Sequence, residues 1–172
     1  MPNKDYGVIE TTKWFVPAVA AQAEDAIFEV DGLGAGAGHQ SASLDIGVAA
    51  VARLFEWRAF CQFATTPVLN EQVLIAIKTM GSSASATAHP DNDDGTGDSA
   101  ISTRNKFDHG PHFIGSIVVN EAAANIEMVA SGQIWIRARA IQVLFWNDAV
   151  DALTTDVDEN GFMLTPVPAE LQ

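Results

Sequence analysis

Five short apolar runs crowd the second half of this chain: Phe113 to Val119, Asn125 to Ala130, Gln133 to Arg139, Ile141 to Trp146 and Phe162 to Val167. Each has the length of a strand, and turn chemistry at Ser131-Gly132, Asn147-Asp148 and Asn160-Gly161 separates them. Close spacing of this kind predicts an antiparallel β-sandwich or barrel, because alternating β and α units need a helix between successive strands.

From Phe55 to Phe63 the odd positions Phe55, Trp57, Ala59, Cys61 and Phe63 are apolar, with Glu56, Arg58 and Gln62 between them. A period of two marks a half-buried strand. An Ala-rich helix from Val48 to Phe60 competes, since residue preference alone favours it; the aromatic content favours the strand. Thr65-Thr66-Pro67 closes this element, and Val73 to Lys78 reads as a second, buried strand antiparallel to it.

Two segments break the pattern. Residues 1–38 are expected to form an N-terminal arm and a Gly-rich linker, with residues 39–172 as the sandwich domain. Tyr6, Trp14 and Phe15 are the arm's candidate anchoring residues, although Trp14 and Phe15 fit a core role equally well. Gly32 to Gly38 carries glycine at alternate positions and reads as a mobile linker. Gly81 to Asp98, rich in Ser, Ala, Asp and Gly, buries little and is expected to be a long, exposed, mobile acidic loop.

A length of 172 residues suits one core. Hydrophobic residues make up 48%, which excludes disorder as the cause of the acidity. Twenty-two Asp and Glu against nine Lys and Arg give a net charge of −13, which disfavours nucleic acid as a partner. No apolar run reaches the length of a membrane span, and no basic region precedes an apolar stretch as in a secretory signal. Cys61 stands alone and is expected to be inert packing, with production in the host cytoplasm.

The chemical motifs favour their plain readings. Asp156-Val-Asp158-Glu-Asn160-Gly161 matches the first half of a calcium loop, but Val167 stands where the closing Glu belongs, so an acidic hairpin turn is expected. Asp91, Asp93, Asp94 and Asp98 follow no calcium spacing, and His109 and His112 lack further ligands. Gly32-Leu-Gly-Ala-Gly-Ala37 fits a dinucleotide fingerprint without the βαβ unit that gives one meaning. No nucleophile elbow is present. No catalytic residue, cofactor or metal is expected.

The order from Phe60 onward resembles a family of small bacteriophage virion proteins with a jelly-roll-like sandwich. The carriers are Phe63-Ala-Thr-Thr-Pro67, Val73-Leu-Ile-Ala-Ile-Lys78, the Ser- and Asp-rich loop to Asp98, His112-Phe-Ile-Gly115-Ser-Ile, Ile141-Gln-Val-Leu-Phe-Trp-Asn147 and Gly161-Phe-Met-Leu-Thr-Pro166. The resemblance covers about two thirds of the chain and implies a non-enzymatic decoration or cement protein. Such a protein would sit on the capsid exterior, bridge major capsid protein subunits, and assemble as a homotrimer. The same sandwich also serves carbohydrate-binding modules of tails and fibres, which is the alternative expectation.

Overall fold

Numbered along the chain, the strands are β1 (Lys13–Val16), β2 (Ala26–Ile27), β3 (Gly38–Gln40), β4 (Leu44–Asp45), β5 (Arg53–Cys61), β6 (Gln72–Met80), β7 (Ser99–Ile101), β8 (His112–Val118), β9 (Met128–Ile136), β10 (Ala140–Asn147) and β11 (Gly161–Pro166). A short helix, α1 (Arg104–His109), precedes β8. The structure, a computed structural model, describes residues 11–18, 20, 23–46, 53–81, 98–101 and 103–167.

Alternation decides the central strand. In β5 Phe55, Trp57, Ala59 and Cys61 are buried while Glu56 and Arg58 are exposed, so the period of two prevails over alanine's preference for helix. Residues 48–52 of the competing helix lie outside the described residues. The strands form two sheets, ordered β2-β1-β11-β5-β9 and β7-β3-β10-β6-β8, with β4 also pairing with β10. Neighbours are antiparallel except β1 and β2, which run parallel. This is an all-β sandwich.

The core lies between the sheets and is aromatic. Phe15 meets Phe162 edge to face at 5.7 Å, Phe28 meets Phe145 at 5.0 Å, and Trp57 stacks on Phe162 at 6.2 Å. Burying one such ring contributes roughly 1.5–3 kcal/mol. A second cluster sits on the outer side of the β10/β6 sheet, where Phe107 of α1 covers Leu74, Ala76, Leu144 and Trp146. β10 is therefore buried along its whole length, which explains its unbroken apolar run.

Several expectations are corrected. Asn125 to Ala130 and Gln133 to Arg139 are not two strands with a turn at Ser131-Gly132: β9 runs straight through, with Ser131 opposite Arg58 and Gly132 opposite Trp57. Glycine is there for packing, because a Cβ at 132 would lie 2.9 Å from the Trp57 indole. β5 and β6 do not pair with each other; the turn after β5 carries the chain to the other sheet. For the same reason residues 148–160 are a crossing between sheets and not a hairpin turn.

The expected arm is also part of the sandwich. β1 is inserted between β2 and β11, and Phe15, Ala26, Phe28, Val30 and Leu33 belong to the main core. The expected linker is pinned: Gly32 donates to the Thr154 carbonyl at 2.9 Å and Gly36 to that of Asn147 at 2.8 Å. Both glycines have positive φ, 67° and 65°, and here their backbone freedom makes turns. The boundary drawn at residue 38 thus falls inside β3, which is bonded to both β10 and β7. Of the acidic loop, Gly81 and Asp98 alone are described.

Candidate functional site

The first feature is an aliphatic rim at one end of the sandwich. Glu71, just before β6, ties three loops together. Its N–H donates to the Val68 carbonyl at 3.3 Å, its carbonyl accepts from Val119 at 2.8 Å, and its Oε2 accepts from the Val150 N–H at 3.1 Å. Asn70, at φ 71°, makes the turn and donates to the Val119 carbonyl. The Asp148 N–H donates to the Gln72 carbonyl at 3.0 Å. Val68, Leu69, Val118 and Val150, which this network gathers, each leave about half or more of their surface to solvent.

The loops behind the rim are fixed by two buried amides. Asn147 donates through Nδ2 to the carbonyls of Leu33 and Asp151 and accepts from the Ala149 N–H. Asn160 donates to Asp31 at 2.9 Å and to the Thr154 carbonyl, and accepts from the Gln62 N–H. With no exposed surface, both spend their hydrogen-bonding capacity inside the protein. Asn160 is therefore a structural post and not a calcium ligand, and among the described residues no group of three or more His, Cys, Asp or Glu is placed to hold a metal.

Asp31 pays electrostatically for its place beside that post. Burial pushes its carboxyl above the usual range, and the charges of Glu29, Asp156 and Asp158 push the same way, against the hydrogen bond from Asn160. The arrangement gathers acids that repel one another.

The second feature is an open concavity of about 460 Å³ on the outer face of the first sheet. Glu56, Trp57 and Arg58 of β5, Ser131, Gly132 and Gln133 of β9, and Met163 and Thr165 of β11 line it. Glu56 accepts from Gln133 at 3.4 Å, and Arg58 pairs with Glu127 at 2.7 Å. The Trp57 indole itself is 5% exposed and packs in the core against Phe162, where Gly132 leaves room for it.

The residues singled out in the sequence are scattered. Phe15 is fully buried in the core and is not available to anchor anything; Trp14 lies half-buried in β1, opposite Met163; Tyr6 lies outside the described residues. Asp91, Asp93 and Asp94 also lie outside them. Asp98 instead pairs with His39 at 2.9 Å and accepts from the Glu29 N–H. His109 is bonded to the Asn105 carbonyl, and His112 begins β8 in an exposed position. Cys61 is fully buried, with its thiol pushed up to about 12 by burial, so it is unreactive packing as expected.

The rim was missed because its residues come singly from three loops, where no periodicity marks them. Its one sequence signal is apolar residues at turns: Val68-Leu69 before Asn70, and Val150 after Asn147-Asp148. No helix among the described residues is long and apolar enough to cross a membrane. No protein-family model matches this chain, and no curated protein matches it.

Proposed function

We propose that this chain is a non-enzymatic structural protein of a bacteriophage virion, made in the host cytoplasm, that decorates the capsid exterior and bridges subunits of the major capsid protein. The observation that carries the reading is the aliphatic rim: four exposed Val and Leu side chains held by a hydrogen-bonded loop network on a rigid sandwich. Ordered apolar groups in water favour contact with another surface at roughly 25 cal/mol per Å² removed. Many weakly bound copies bridging one shell then act together. The strand order β1-β11-β5-β9 over β3-β10-β6-β8 supports reading the sandwich as a jelly roll.

The test is co-sedimentation with capsids lacking decoration. Val68→Asp with Leu69→Asp places two charges on the rim while leaving the core intact. We expect about a tenfold loss or more of pelleted protein, because two half-buried aliphatic contacts are worth on the order of 1–2 kcal/mol. Undiminished pelleting of this variant would sink the reading.

The alternative is a carbohydrate-binding module of a tail or fibre, and the concavity favours it. Glu56, Arg58, Ser131 and Gln133 line it with hydrogen-bonding side chains, which are the polar half of the chemistry of sugar recognition. A glycan screen in which Arg58→Ala abolishes a positive signal would move the assignment there.

A further inference from the structure

The two sides of the sandwich are unequal. On one side the edge strands are short, two residues in β2 and three in β7, and short edges resist pairing with other chains. On the other side the edges are β8, of seven residues, and β9, of nine. The register of β8 against its neighbour shifts between Ile75 and Ala76, an irregularity that disturbs an edge. β9 has no such device. It pairs with β5 in unbroken register from Met128 to Ile136, and it contains no proline and no charged residue. Among the described residues its backbone is bonded to β5 alone.

We propose that β9 is the contact between two copies of this chain, pairing antiparallel with β9 of the second copy about Gly132. Charge selects the partner. A chain of net charge −13 repels its own copy, and the strands β8 and β9 themselves contain no Asp, Glu, Lys or Arg.

Register selects the pairing. Centred on Gly132, the sequence Met-Val-Ala-Ser-Gly-Gln-Ile-Trp-Ile is complementary to itself: Val129 falls opposite Trp135, Ser131 opposite Gln133, Ala130 opposite Ile134 and Met128 opposite Ile136. The first is an aromatic and β-branched pair, the second a pair of hydrogen-bonding side chains, and the others are apolar. Trp135, which is 63% exposed in the single chain, gains a partner. The association is two-fold, in place of the threefold one that the virion resemblance implies, and it stands independently of what the rim binds.

The test is light scattering on the purified chain, followed by charge exchange. The wild type should run at the mass of two chains. Ser131→Lys with Gln133→Lys sets like charges opposite each other twice across the axis, and both positions are exposed, so the single chain should keep its fold by circular dichroism while the dimer dissociation constant rises at least tenfold. The same positions as S131E/Q133E should also give monomers. Mixing the Lys and Glu variants should restore the two-chain mass, because each Lys then faces a Glu. A wild-type mass of one or three chains would overturn the proposal, as would a Lys variant that stays dimeric or a mixture that stays monomeric. Shell pelleting is read separately, so failure of the decoration role leaves this result standing, and the reverse.

Discussion

Trp57 sets how closely the sheets approach at one corner of the sandwich. Its indole lies over Phe162, and glycines stand against it from both sheets, Gly115 in β8 and Gly132 in β9. A Cβ at either position would lie 2.9 Å from the ring. Gly132→Ala gains about 0.5–1 kcal/mol of strand preference but forces the ring against its stacked neighbour, at about 1–3 kcal/mol. The larger effect is the clash, so urea denaturation should show a net loss of about 1–2 kcal/mol. A variant as stable as the parent would mean that the ring yields freely.

Asp31 makes the opposite kind of prediction, a substitution that helps. Because its carboxyl lies above 3.8 in the folded protein, the stability it contributes is present below the unfolded value and lost as pH rises through the folded one. Asp31→Asn keeps an oxygen for Asn160 and removes the repulsion from Glu29, Asp156 and Asp158. Its melting temperature should exceed the parent's at pH 7, and the gap should close as the pH falls toward 3.8. A gap that does not change with pH would assign the gain to something other than the charge.

At the level of elements, β1 is where an arm and a strand differ by experiment. Phe15→Ala removes a ring packed against Phe162, and should cost about 3–5 kcal/mol in chemical unfolding. On a free arm the same change would cost nothing. β5, β6, β10 and β11 were legible in sequence because each is long enough for alternation or an unbroken apolar run to show. β2, β3, β4 and β7 have two or three residues each, too few for any period. α1 buries Phe107 alone, so no helical stripe could announce it. β9 was divided because glycine is a turn signal in sequence, whereas here it makes room for an indole from the facing strand. The rim was the least legible, being assembled by Glu71 from segments far apart in the chain.

For the whole molecule, a net charge of −13 on 172 residues means that folding draws like charges together. Salt screens that repulsion with a Debye length of about 30 Å at 0.01 M and about 3 Å at 1 M. Raising sodium chloride across this range should raise the melting temperature by about 2–4 °C, the equivalent of about 1 kcal/mol for a chain of this size. A flat profile in differential scanning calorimetry would mean that the acids sit too far apart to matter.

The pairing of β1 with β11 joins residues 13–16 to residues 161–166. Beyond β2, the strands between them that enter the first sheet, β5 and β9, are each preceded by one that belongs to the second. A ribosome making this chain therefore releases β1 long before β11 exists, and neither sheet can be finished from consecutive residues. Until β11 emerges, Phe15 has no Phe162 to cover it, and the nascent chain carries β1 with that side of its apolar surface uncovered.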